Sequence, residues 1–265
     1  MQLDLPPLGL GTSKMTDPET CRRTVVRALE LGYRHVDTAQ MYDNERYVGE
    51  GLVESEVDRD EVILATKIHH QNLAYEDVKR TARESLYRLG VDAVDLLYVH
   101  WPRANYDPDE SLRALDELRE EGLTRHVGLS NFTPTLLDEA RDRLDSPVVS
   151  HPVECHPLLP QTELRAYARE HDHHLVAYCP LGQARITHPV LEDVAQKHYT
   201  SVPLVCLAWG LAKEAVIPIP KATGDHLREN WEAQDFELDG EDIERIDAIE
   251  ERRRLIDPKD AAWNR

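Results

Sequence analysis

Short apolar runs alternate with longer amphipathic stretches along the whole chain. The apolar runs fall at residues 8–12, 33–38, 62–67, 94–100, 126–130, 148–153, 175–179 and 216–219. Their Val, Ile and Leu content, with little polar alternation, suits parallel strands covered on both faces. Between them, apolar residues recur at helical spacing over 18–31, 45–56, 75–89, 108–121, 134–144, 161–171, 188–198 and 202–213, and a last such stretch spans 242–251. Pro18 follows Asp17 as a helix start, and Gly32, Gly90 and Gly122 stand where helix ends favour a left-handed residue. Eight β-α units in 265 residues predict one α/β domain over 1–265, a closed (β/α)8 TIM barrel. An open doubly wound sheet is the runner-up. Its G-x-G-x-x-G fingerprint fails here, because Gly9-Leu10-Gly11 is followed by Lys14 where the third glycine belongs.

Composition narrows the setting. Fifty Asp and Glu against 31 Lys and Arg leave a net charge of -19, which repels phosphate backbones and argues against nucleic acid as a partner. No apolar stretch is long enough to cross a membrane. The N-terminus lacks the pattern of a secretory signal, so a cytoplasmic protein is expected. Carboxylate excess with scarce lysine suits a surface that stays hydrated in concentrated salt, where the Debye length shrinks to about 3 Å; a halophilic source is the expectation, an ordinary acidic cytosolic protein the alternative. Cys21, Cys155, Cys179 and Cys206 are widely spaced and read as reduced, mostly buried thiols.

In a barrel of this kind, chemistry collects at the C-terminal ends of the strands. Those ends carry Thr12-Ser13-Lys14, Asp37, Lys67, His100-Trp101, Ser130-Asn131, Glu154, Tyr178 and Lys221. Asp37, Lys67 and His100 each terminate an apolar run, and Tyr42 follows Asp37 closely enough to fold over the same mouth. Singly, each has a bland reading: a helix cap, a structural ion pair, a core ring, a satisfied histidine. Four convergent positions of complementary chemistry argue for a site.

The constellation resembles the aldo-keto reductase family. The segment Gly32-Tyr33-Arg34-His35-Val36-Asp37-Thr38-Ala39, with Tyr42 and Asn44-Glu45 after it, is similar to that family's first signature. Further matching blocks are Leu96–Pro102, Gly128–Phe132, Ala177–Gly182 and Ile217–Lys221 with Glu229-Asn230. The resemblance implies a nicotinamide-dependent reduction of aldehydes or ketones in which Asp37, Tyr42, Lys67 and His100 form the catalytic tetrad. Tyr42 would donate the proton, Lys67 would ease its release, Asp37 would hold Lys67, and His100 would orient the carbonyl. It further implies that Tyr178 stacks on nicotinamide and that Ser130 and Asn131 meet its carboxamide. Thr12, Lys14, Leu181 and Gly182 would lie along the ribose and pyrophosphate. Lys221 would face a 2′-phosphate with His226 beside it, and Asn230 would read adenine. NADPH is the expected cofactor, with NADH possible, and a monomer is expected. No metal is implied.

Several departures from the family pattern matter. His151-Pro152 replaces an Asn-Gln pair; proline has no side-chain amide, so one carboxamide contact is either lost or supplied by His151. His226 replaces an arginine and Ala222 a serine, which weakens a 2′-phosphate clamp because imidazole is mostly neutral. Ser13 and His69 stand where the family often has tryptophan, while Trp101 is kept; a more polar pocket for hydroxylated or sugar-derived carbonyls follows. The N-terminal hairpin plug has little room, and no pocket role is assigned to the tail with Arg252–Arg254, whose charges read as a solvated face. His171-Asp172-His173-His174 reads as a solvated helix end, and His69-His70 as pocket rim. Two rival functions share this barrel: a Schiff-base lyase or aldolase using Lys67, disfavoured by Asp37 beside it, and a non-catalytic cofactor-sensing subunit.

Overall fold

A computed structural model of the chain describes residues 3–264. Eight parallel strands form one sheet in sequential order, β1 Leu10–Gly11, β2 His35–Asp37, β3 Ile63–Ile68, β4 Val94–Val99, β5 Thr124–Leu129, β6 Val148–Glu154, β7 His174–Tyr178 and β8 Val216–Pro218. From β1 to β8 each strand pairs in parallel with the next in sequence, and helical crossovers join them. The ring closes where Gly9 N–H donates to Pro218 O at 2.9 Å and Gly11 N–H to Pro220 O at 3.1 Å. On the other edge, Ile219 N–H donates to Ala177 O at 3.0 Å. The two prolines thus lack donors only at the seam with the two-residue β1, where no ladder bond is lost. A Cβ on Gly11 would stand 2.6 Å from Ile219 O, so the seam needs glycine there.

The helices are α1 Pro18–Leu31, α2 Glu45–Glu54, α3 Tyr75–Leu89, α4 Pro108–Glu120, α5 Pro134–Arg141, α6 Thr162–Glu170, α7 Pro189–Lys197, α8 Val202–Leu211, α9 Asp225–Glu232 and α10 Gly240–Asp247. Starts follow the expected chemistry: the Asp17 carboxylate accepts from Thr20 N–H at 2.8 Å, with Pro18 opening α1. α8 is apolar all round and sits almost wholly buried. The apolar pattern did not predict α9. It carries only Leu227 and Trp231 as large apolar side chains, too few to register as a period. Its fold is fixed by contact instead: Trp231 packs on Tyr33 at 4.9 Å between ring centroids, and Tyr33 OH donates to Leu227 O at 3.0 Å.

Two apolar layers lie between sheet and helices, and a third fills the barrel with Ala65, Leu96, Tyr98, Val176, Ile217 and Ile219. Leu3 and Leu5 join that inner cluster, and His174 holds the segment through Leu3 O at 2.9 Å. An extended N-terminal segment therefore packs into the inner layer that a hairpin plug would cover. Gly128 leaves space for the Tyr98 ring, which would lie 2.5 Å from an added Cβ. No helix among the described residues is long and apolar enough to cross a membrane. Cys21, Cys155 and Cys206 are buried, Cys179 is half-buried, and all four are free thiols.

Candidate active site

Strand pleating sets the site. Ala65, Leu96 and Tyr98 line the inner cluster, and Lys67 and His100 share their faces two residues further on. Asp37 ends β2, one strand away. All three are buried, 1–6% exposed, at the C-terminal mouth of the barrel. The Lys67 ammonium donates to the Asp37 carboxylate and to Thr38 O, the latter at 2.9 Å. It lies 5.3 Å from the centre of the Tyr42 ring, and that ring meets His100 edge-on at 5.7 Å. The four side chains read from the strand ends come together at one point.

Tyr42 stands in a single 3-10 turn, Gln40–Tyr42, closed by Asp43 at a left-handed φ of 53°. Such a turn has few bonds of its own, and three buried or half-buried side chains hold it. Asn44 donates to Thr12 O at 2.8 Å and accepts from the Thr38 hydroxyl at 2.9 Å. Glu45 accepts from the Thr66 hydroxyl at 2.5 Å and from Arg88 Nε at 2.8 Å. Gln40 donates to Thr81 O and Ser85 Oγ at 3.1 Å and accepts from His69 N–H at 2.9 Å. The supporting part of Gln40 was not legible in sequence, since its partners lie up to 45 positions away.

Electrostatics assigns protonation states. Burial pushes the Tyr42 phenol above its ordinary value; the Lys67 ammonium opposes this without cancelling it, so the resting phenol is neutral. Burial works against the Lys67 ammonium, yet Asp37 and Tyr42 outweigh it and hold its pKa up. Burial raises the Asp37 carboxyl, against the pull of Lys67. His100 is driven well below the usual imidazole value by burial and then by the Lys67 charge. A neutral ring carries one N–H, so His100 offers a single donor without adding a charge.

The residues implied to hold a cofactor lie at the end of β7, on the segments that follow β1, β5, β7 and β8, and on α9. Thr12 is buried and donates to Asp37 O at 3.0 Å, and Ser13 beside it is half-buried. Lys14 is exposed in a left-handed conformation, φ 63°. Ser130 and Asn131 are buried; Ser130 Oγ donates to Pro152 O at 3.0 Å, and Asn131 Nδ2 donates to His100 O at 2.9 Å. Asn131 Oδ1 accepts from Tyr178 OH at 2.8 Å. Leu181 and Gly182 follow, with Gly182 at φ 52°. Lys221 is exposed beyond β8. Exposed His226 is engaged by Glu229 at 2.7 Å rather than standing free. Asn230 is buried with its Nδ2 lacking a partner. An unpartnered buried amide donor and two exposed ammoniums on these segments suit a nucleotide with a phosphate chain.

Two readings of the sequence change. One extra residue, Val149, bulges in β6 opposite the Val127–Gly128 step. Past this bulge His151 turns to the helix layer, 6.1 Å from the His173 ring, and cannot replace a mouth-facing amide. Pro152 takes the inner position, and its carbonyl accepts from Asn131 N–H at 3.0 Å. The His171–His174 stretch is not simply solvated: His173 is buried and bonds Arg141 at 2.9 Å, and His171 packs on Tyr167 at 4.1 Å.

The tail also enters the site. Glu154, fully buried at the end of β6, accepts from Leu255 N–H at 2.7 Å, Ile256 N–H at 2.8 Å and His156 Nε2 at 2.9 Å. This pins residues 252–264 across the mouth, where Trp263 packs on Trp101 at 5.6 Å. Trp101 in turn stacks beside His100 at 6.4 Å. His69 and His70 stack at 4.1 Å on the adjoining rim.

Strand-end lysine, carboxylate, phenol and imidazole in the mouth of a closed parallel barrel define a barrel enzyme with a buried acid–base site. The aldo/keto reductase family matches residues 7–251. The chain is 37% identical over 263 residues to methylglyoxal reductase DkgB of Escherichia coli O157:H7, covering 97% of this chain and 98% of that one. A crystal structure assigned as a 2,5-diketo-D-gluconic acid reductase B superposes with a TM-score of 0.92 at 35% identity, over 97% of this chain and 92% of the other. The Bombyx mori aldo-keto reductase in complex with NADP gives 0.88 at 29% identity, over 98% and 95%. The chain belongs to the aldo/keto reductase family. It is an oxidoreductase that reduces aldehydes and ketones with a nicotinamide cofactor.

Proposed function

We propose that Tyr42 is the proton donor of carbonyl reduction, assisted by Lys67 and Asp37, with His100 donating to the carbonyl oxygen. The observation that carries this reading is the Lys67 ammonium set between Asp37 and the Tyr42 ring, with His100 against the same ring. Bound dihydronicotinamide supplies the hydride to the carbonyl carbon. The oxygen becomes strongly basic as that happens, and a neutral phenol can then give up its proton. Lys67 stabilises the phenolate left behind, and Asp37 keeps Lys67 charged and in place. The His100 N–H fixes the carbonyl in reach of both. An ammonium held protonated by Asp37 is a poor amine nucleophile, which disfavours a Schiff base on Lys67.

Tyr178, Ser130, Asn131, Thr12, Lys14, Leu181, Gly182 and Asn230 are the proposed cofactor contacts, and Lys221 selects NADPH. The pairing of His226 with Glu229 weakens that selection, so NADH remains a usable second cofactor. Ser13, His69 and Trp101 give a partly polar pocket, which favours hydroxylated and sugar-derived carbonyl substrates; the named activities of the relatives agree with this. A monomeric cytoplasmic enzyme adapted to concentrated salt completes the reading, resting on the charge of -19.

The test is loss of NADPH and NADH absorbance with aldehydes and ketones across KCl concentrations, with Tyr42→Phe alongside. We expect kcat to fall about 10²- to 10⁴-fold in that variant with KM little changed. Undiminished turnover would remove Tyr42 as donor. Because burial raises the phenol, reduction should persist toward pH 10 and beyond, the ordinary phenol range, and alcohol oxidation, which needs the phenolate, should rise with pH.

A further inference from the structure

We propose that the mouth contains an anion subsite centred on Arg254, so that the favoured carbonyl substrates carry a carboxylate remote from the reacting carbon. This rests on the reductase reading and adds a substrate class to it. Two arginines flank the tryptophan pair beside His100. The Arg103 guanidinium lies 5.3 Å from the Trp101 ring and is neutralised by Asp260 at 2.5 Å. Arg254 lies 4.1 Å from the Trp263 ring. Among the described residues its guanidinium makes no hydrogen bond or ion pair: its charge reaches the Asp257 carboxylate, but that carboxylate accepts from Trp263 Nε1 at 2.9 Å and Asn264 Nδ2 at 2.7 Å instead.

The strap that carries Arg254 is not free to wander. The next two residues, Leu255 and Ile256, give their N–H groups to buried Glu154, and Arg253 N–H donates to Leu158 O at 2.8 Å. The guanidinium plane is held by its stack on Trp263, which leaves its edge donors open. Its charge also reaches the Tyr178 phenol across the mouth, where it favours the ionised form against the larger effect of burial. A half-buried planar fork with vacant donors beside a reactive mouth matches a carboxylate, which it can bind through two parallel bonds. The global field supplies the reason such a site is needed. At low ionic strength a protein of net charge -19 repels anionic substrates, and a fixed local cation offsets that repulsion where the substrate must dock; in concentrated salt the distant charges are screened and the close cation still acts.

The test compares 4-carboxybenzaldehyde with its methyl ester, which has the same ring and aldehyde but no charge. In the wild type, kcat/KM should favour the acid. Arg254→Met should lower kcat/KM for the acid about 10- to 100-fold, mainly through KM, and move the ester less than twofold. Arg254→Lys should fall between, since it keeps charge and loses the planar fork. Equal losses on both substrates, or none on either, would overturn the subsite. A binding readout separates this from the reductase reading: tryptophan fluorescence titrated with 4-(hydroxymethyl)benzoate, with and without NADP. A Kd weakened at least tenfold in Arg254→Met supports the subsite even if neither aldehyde turns over, an outcome that would instead defeat the reductase reading. An unchanged Kd in both conditions overturns the subsite while leaving that reading intact.

Discussion

The floor of the mouth and the strap over it are built in opposite ways. Asp37, Lys67 and His100 sit at the ends of neighbouring strands, buried, with every position set by a continuous parallel ladder. Residues 252–264 have little regular structure, and a handful of contacts hold them: the Glu154 carboxylate, the Arg103–Asp260 pair and the Trp101–Trp263 stack. The floor gains its precision from packing that a side-chain change cannot easily relax. The strap gains it from a few polar anchors, any of which can change without disturbing the barrel. Chemistry common to many carbonyls belongs on the first, and discrimination among carbonyls on the second.

The contrast predicts unequal damage. Lys67→Met removes one partner of a buried pair and leaves the Asp37 carboxylate alone, so it should cost about 3–5 kcal/mol of stability and nearly all activity. Adding Asp37→Asn should restore much of the melting temperature and none of the turnover; recovery of turnover would contradict the role given to the ammonium. Next comes acid. His35, His151 and His173 are buried, and burial lowers each to about 3. The unfolded chain binds protons on these rings below about pH 6.5 and the folded one does not. Stability therefore falls as pH drops from about 6.5 towards 3, by about 2 kcal/mol for each ring at pH 5. Urea midpoints measured at pH 7.5 and 5 check this, and a flat profile would contradict it.

The strap should answer more mildly. Glu154→Gln offers one acceptor where two N–H groups need partners, and it should raise KM several-fold with a smaller change in kcat. Hydrogen exchange at Leu255 and Ile256 should speed up while the β2–β4 amides stay protected. Uniform loss of protection would erase the distinction between floor and strap. The smallest effect is expected at His226→Arg. A guanidinium is always charged and binds phosphate as a fork, so the preference for NADPH over NADH should rise by about tenfold or less. An unchanged ratio would place the phosphate elsewhere.

Local pattern carried much of this protein. Apolar runs separated by helical periods implied the eight-stranded barrel, and an ionisable residue at the end of a run implied a side chain at its mouth. Asp37, Lys67 and His100 were legible for that reason, and Tyr42 because it follows Asp37 within one turn. What pattern could not convey were couplings between distant positions. Glu154 lies 101 residues before Leu255, and nothing near either residue signals that a buried carboxylate will hold the tail. The facing of His151 depends on the extra residue in β6, and a one-residue bulge alters pleat direction without altering hydrophobicity. α9 formed without an apolar period because Tyr33 and Gly32 offered Trp231 a place to pack. Periodicity records which face of an element meets the core, and that suffices for a barrel of neighbouring strands. Which anchors cross from one end of the chain to the other is set by three-dimensional proximity, and only the folded molecule decided it.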